Sequence, residues 1–162
     1  MKFLEEQFST ISTDKYEPQS LKDIRSLAFD QFKEIGFPKK NWEAWRFTSV
    51  DNVEKNSFRL STEADLPEDL FKSEDGLSVP TLLFLNGHYQ PDESNIPTGI
   101  KVNTLRDSYN EDAKLFNNGY DAGTNPFVIL NTAMMNSGLH IRISENTESH
   151  PPIRFLYLTT KL

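Results

Sequence analysis

Three histidines, His88, His140 and His150, are the side chains best suited to metal ligation or to proton transfer near neutral pH. They fall in separate segments, and none has a second histidine or a carboxylate at a recognised ligand spacing. Each reads as a surface histidine, His88 beside a turn and His140 at an outward strand position. Carboxylates are plentiful at Asp65, Glu68, Asp69, Glu74, Asp75, Asp107, Glu111 and Asp112. General acid–base work needs a carboxylate held in a shielded pocket. These lie in polar stretches and read as a solvated face. No serine sits in a Gly-x-Ser-x-Gly elbow. The seven glycines form neither a P-loop nor a dinucleotide fingerprint. With no cysteine, the chain has no disulfide, no Cys-type zinc site and no thiolate for an iron–sulfur cluster. The residues therefore offer no catalytic, cofactor-binding or metal site.

One dense aromatic cluster remains, Trp42, Trp45 and Phe47, with Glu43 and Arg46 among them. Rings so close in sequence suit either a stacking platform for a sugar or other small molecule, or the packing of a neighbouring helix. The packing reading is the one adopted, with Arg46 expected to stack on one of the rings. A small-molecule or carbohydrate-binding module built on Trp42, Trp45 and Phe47 is the alternative.

The elements that must position these residues follow from apolar periodicity. Phe3, Leu4, Phe8 and Ile11 share one face of a short helix. Leu21, Ile24, Leu27, Ala28, Phe32 and Ile35 mark a longer one, with Ser20 as expected N-cap, Gly36 as C-cap and Pro38 beyond. Residues 49–75 are polar and acidic, with weak amphipathy at Leu66, Leu70 and Phe71. Thr81 to Leu85 is a strand-length apolar run, and Asn86-Gly87 is a strong hairpin signal, with His88 to Gln90 returning. Ile100 to Val102 reads as a strand, and residues 104–118 as holding a short helix. Asn125 and Pro126 open a buried helix over Phe127 to Met135, ended by Gly138. Leu139–Ser144 and Ile153–Thr159 read as strands. The order gives an α+β chain, with a helical region over 1–75 and a hairpin and strand region over 76–162.

Composition bounds the partners. Asp plus Glu number 24 against 17 Lys plus Arg, a formal net charge of −7. A nucleic-acid binder would show a basic face, whereas the longest basic run here is Lys39-Lys40. No apolar run approaches the roughly 18 residues of a membrane span. The acidic first residues lack the apolar core of a signal peptide. A cytoplasmic protein that binds neither nucleic acid nor membrane is expected.

Several blocks then resemble a known family. Arg25 to Phe32, Gly36-Phe37-Pro38 and Glu43-Ala44-Trp45-Arg46-Phe47-Thr48 resemble the opening of SufD-type proteins of the SufB/SufD family. Phe84-Leu85-Asn86-Gly87-His88-Tyr89 and Ile96-Pro97-Thr98-Gly99-Ile100 resemble its hairpin and following turn. Phe127 to Ala133, Gly138, Pro151-Pro152-Ile153 and Leu156-Tyr157-Leu158 resemble the entry into its β-helix. The similarity covers about Leu21 to Thr159, and SufB resembles this stretch less well.

The resemblance implies a non-enzymatic scaffold of iron–sulfur cluster assembly that pairs with SufB and with the ATPase SufC. It also implies a long β-helix and a C-terminal helical domain, of which this chain would hold only the first strands. Because the pairing surface and cluster-related residues lie in those parts, the resemblance assigns no site residue here. One consequence is expected of a truncated β-helix. The final strand, Ile153 to Leu158, is apolar and lacks an internal proline, so its edge would pair with a second copy to form a homodimer.

Overall fold

Two amphipathic helices carry most of the packing in the first half of the chain. The computed structural model describes residues 2–12, 17–61, 65, 79–111, 123–147 and 152–160. They are distributed over two compact units, Met1–Leu60 with Tyr109–Asn136, and Ser61–Ser108 with Ser137–Leu162. Each unit therefore draws on both 1–75 and 76–162, or on segments far apart within them.

In the first unit, α1 (Lys2–Ile11) buries Leu4 and Ile11. Helix α2 (Gln19–Ile35) buries Leu21, Arg25, Ala28, Phe29 and Phe32, a stripe at helical spacing. Ser20 lies inside α2 rather than capping it. The helix starts at Gln19 behind Pro18, whose carbonyl accepts from the amides of Leu21 and Lys22. A proline ring, with its fixed φ, supplies the entry in place of a hydroxyl cap. At the other end the Gly36 amide bonds the Phe32 carbonyl at 2.7 Å, as the C-cap expectation required.

A 3-10 turn follows (Glu43–Trp45), then α3 (Asp51–Lys55). Farther along the chain are α4 (Leu105–Glu111) and α5 (Pro126–Ala133). Asn125 caps α5 through a 3.0 Å bond from the Phe127 amide, with Pro126 in the first turn. Helix α5 ends two residues before the expected Met135, because the Met135 amide tightens onto the Thr132 carbonyl. Helices α2 and α5 pack together, and Leu4, Ala28, Phe29, Phe32, Phe37, Val50, Ile129 and Ala133 form one core. Rings interlock within it: Phe8 stacks on Phe29 at 4.2 Å, and Phe32 meets Phe37 edge-on at 5.2 Å.

In the second unit, β1 (Thr81–Leu85) is buried along its whole length. An unbroken apolar run is what a strand covered on both faces requires. Strand β2 (His88–Tyr89) pairs antiparallel to it, and β5 (Arg154–Leu158) pairs parallel, giving the order β2-β1-β5. The β1–β2 turn has φ of 50° at Asn86 and 87° at Gly87, as a two-residue hairpin demands. Strands β3 (Ile100–Thr104) and β4 (Leu139–Ile143) form a separate antiparallel pair. Gly99, at φ 88°, enters β3 with its carbonyl bonded by the Ser144 amide, and a Cβ there would lie 2.9 Å from Thr147 Oγ1. Thr104 caps α4 reciprocally: its hydroxyl accepts from the Asp107 amide and donates to the Asp107 carboxylate.

The α+β expectation holds. Strands β4 and β5, expected as the first strands of a β-helix, lie in different sheets. Among the described residues β5 bonds β1 along one edge, and its other edge joins no described strand. The amphipathic positions Leu66, Leu70 and Phe71 fall outside the described residues.

Candidate functional site

The aromatic cluster is divided by a turn. The Trp45 amide bonds the Trp42 carbonyl at 2.9 Å, Arg46 bonds Glu43 at 3.3 Å and Thr48 bonds Trp45 at 3.0 Å. The last bond closes a turn whose two central residues are Arg46 and Phe47. Trp45, at its inner corner, turns toward the core and meets the Phe127 ring at 5.3 Å. Trp42 is half-buried. Phe47 is 93% exposed, which corrects the expectation that all three rings pack the helix: on a closed turn the central side chains point away from the anchoring corner. The guanidinium of Arg46 sits 5.3 Å from the Phe47 ring centre, the expected stacking. Glu43 and Arg46 are exposed. Nearby, a hydrogen bond with Ser49 and the charges of Lys40 and Lys55 hold the Asp51 carboxyl below its ordinary pKa.

A second polar group is internal. Arg25 is 2% exposed, its Nε donates to the Ala133 carbonyl at 3.0 Å, and its Nη1 pairs with Glu17 at 2.5 Å. The guanidinium also lies 5.6 Å from the Phe8 ring. Nη2 of Arg25 and Oε2 of Glu17 are buried without a hydrogen-bond partner. The pair ties the segment before α2 to the end of α5. Arg25 follows Leu21 by four residues and precedes Phe32 by seven, so helical spacing alone placed this charge on the apolar stripe.

Ser61 and His88 are the described Ser–His contact. The Ser61 hydroxyl lies 3.4 Å from His88 Nε2, but donates its proton to the Asn86 carbonyl. His88 Nε2 also lies 3.3 Å from the Ser61 carbonyl. A hydroxyl that spends its proton on a backbone carbonyl is not held for transfer to the imidazole. The contact fastens the hairpin turn instead. Ser137 adds a bond to the Gly87 carbonyl at 3.3 Å.

His140 pairs across the ladder with Asn103, and its Nδ1 is buried without a partner, so this ring is less open to solvent than an outward strand position implied. His150 lies outside the described residues, as do Glu68, Asp69, Glu74, Asp75 and Asp112. Asp65 is exposed, and Asp107 serves as a helix-capping carboxylate. Among the described residues no three of His, Asp and Glu converge as a metal-ligand set, and no helix is long and apolar enough to cross a membrane.

The Arg46–Phe47 turn thus faces solvent on a helical unit braced by an internal ion pair. Comparison with known proteins gives these features their context. A curated iron–sulfur cluster assembly SufBD family protein of Synechocystis sp. is 28% identical over 153 residues, 88% of this chain and 33% of that protein. The chain therefore spans about a third of the length of the relative it matches. The family model described as the SufBD protein N-terminal region matches residues 2–155, nearly the whole chain, and on that match the chain belongs to the SufBD family.

Proposed function

We propose that this chain is the N-terminal region of a SufD-type scaffold subunit of the SUF iron–sulfur cluster assembly complex, acting in the cytoplasm in a non-catalytic role. The observation that carries the reading is the family match over residues 2–155. The absence of any cysteine agrees with a region that carries no cluster on thiolates of its own. Partners in this reading are SufB- and SufC-type subunits, with no nucleic acid and no membrane. Its β4 and β5 strands lead toward a β-helix. The decisive experiment is co-expression of the gene product carrying this chain with SufB- and SufC-type subunits. Co-elution is expected, and separate elution of all three would reject the assignment.

The region is assigned no resident cofactor. After anaerobic reconstitution with ferrous iron and sulfide, the purified chain is expected to bind no stoichiometric iron and to stay colourless. Cluster absorbance would contradict this.

The alternative is a small-molecule or carbohydrate-binding module on Trp42, Trp45 and Phe47. It is favoured only by the exposure of Phe47. Trp45 is engaged by Phe127, so the three rings do not make one open platform. Quenching of tryptophan fluorescence by a sugar would revive it.

A further inference from the structure

We propose that Asn86 is a self-modifying residue, deamidated by attack of the Gly87 backbone nitrogen, and that Thr160 is the latch that sets the rate. The reaction needs only water and hydroxide. The Gly87 amide gives its proton to hydroxide, and its nitrogen attacks Cγ of Asn86. A nitrogen–Cγ bond forms, the Cγ–Nδ2 bond breaks, and Nδ2 leaves as ammonia, closing a five-membered succinimide. One water then opens that ring to aspartate or to isoaspartate. No electron is gained or lost.

Three observations place this chemistry at the hairpin turn. First, the attacking nitrogen belongs to a glycine, so no Cβ obstructs its approach to the asparagine side chain. Second, the Ser61 hydroxyl donates to the Asn86 carbonyl, the oxygen of the Asn86–Gly87 peptide. When the Gly87 nitrogen loses its proton, negative charge spreads onto that oxygen, and a donor already aimed at developing charge stabilises it. Third, the electrophile is tied. Attack requires the carboxamide to swing its carbon toward Gly87. Both of its ends are held by Thr160, Nδ2 by the hydroxyl and Oδ1 by the amide, each at 2.9 Å. Asn86 is 8% exposed, so water does not readily replace those partners. The turn therefore combines an assisted nucleophile with a latched carboxamide, and the reaction proceeds from the locally opened state.

The product cannot restore the latch. A carboxylate at position 86 has no hydrogen to donate to Thr160 Oγ1, and its charge would sit at a nearly buried position. The isoaspartate product also lengthens the backbone by one carbon within the two-residue turn. Either product releases the end of β5 from the β1–β2 turn, irreversibly and without an enzyme.

The test follows Asn86 in the full chain, aged under native conditions and mapped by peptide mass spectrometry for aspartate and isoaspartate. Asn118-Gly119, which lies outside the described residues, is the other Asn-Gly of the chain and serves as internal reference in every sample. Thr160→Val removes the hydroxyl half of the latch, and Thr160→Ser keeps it. Ser108→Ala is the matched control: it also deletes one buried hydrogen bond of this unit, from the Ser108 hydroxyl to the Thr104 carbonyl at 2.8 Å. Thr160→Val is expected to speed deamidation at Asn86, relative to Asn118, by roughly five-fold or more, the factor that one lost hydrogen bond corresponds to. Thr160→Ser and Ser108→Ala should match the parent. Adding Ser61→Ala to Thr160→Val should slow the reaction again. An unchanged ratio in Thr160→Val would overturn the latch. An equal rise in Ser108→Ala would also overturn it, because the reaction would then run through unfolding of the whole unit. A Ser61→Ala, Thr160→Val double variant as fast as Thr160→Val would overturn the assistance by Ser61.

Discussion

Asn86 and Thr160, 74 residues apart, exchange hydrogen bonds through both ends of the asparagine side chain. Nδ2 donates to Thr160 Oγ1 at 2.9 Å, and Oδ1 accepts from the Thr160 amide at 2.9 Å. The Asn86 amide bonds the Leu158 carbonyl at 2.8 Å, so the hairpin turn clasps the end of β5. Asn86 is 8% exposed, which makes a lost partner costly. Thr160→Val should cost about 1 kcal/mol, the worth of a typical buried hydrogen bond. Asn86→Ala should cost about 2 kcal/mol or more, because it also puts a left-handed backbone on alanine. Urea denaturation of both variants measures the difference, and parent-like midpoints would show the clasp to be idle.

The Arg25–Glu17 pair makes an ordered prediction. Removing one partner of a buried ion pair strands the other, a cost of about 3–5 kcal/mol. Arg25→Met should therefore destabilise strongly. Adding Glu17→Gln to it should restore part of the loss, since no charge is then left buried. A double variant less stable than Arg25→Met would mean that Glu17 is stabilised by something other than Arg25.

Two neighbouring rings should behave oppositely. Trp45 is half-buried against Phe127, so Trp45→Ala should cost about 2 kcal/mol, less than the roughly 3–5 of a fully buried large ring. Phe47→Ala should leave the melting curve within about 0.5 kcal/mol of the parent, as exposed substitutions do. Reversal of that order in thermal melts would place Phe47, not Trp45, in the packing.

Strand β5 offers an edge that joins no described strand, with Phe155 at 47% and Tyr157 at 65% exposure. Arg154, the charged residue of this strand, donates to the Thr81 hydroxyl of β1 from Nε at 3.2 Å and from Nη2 at 3.1 Å. An apolar edge of this kind is a template for another strand. The isolated chain is expected to self-associate with rising concentration, and Leu156→Lys to reduce it. Light scattering over a hundred-fold concentration range decides, and a parent that stays monomeric throughout sinks the idea.

Local signals carried the elements whose causes are local. The Asn86-Gly87 turn, the Asn125-Pro126 start of α5 and the Gly36 end of α2 depend on backbone conformations or caps that particular residue types supply within a few positions. The apolar run at Thr81–Leu85 announced a buried strand for the same reason. The family blocks were equally legible, because they are short stretches in a fixed order.

Partners across the chain were not legible. Nothing near Leu82 indicates that its ladder neighbour is Phe155, or that β4 turns to β3 while β5 turns to β1. Nor does the spacing of Trp42, Trp45 and Phe47 tell which ring enters the core, since a closed turn reverses direction between adjacent residues. Arg25 shows the division most plainly. Its helical position put it on the buried face by sequence alone. Only the approach of Glu17 and of the Ala133 carbonyl, 108 residues away, made a charge at that position tolerable, because burial of an ion is decided by the groups that meet it in space.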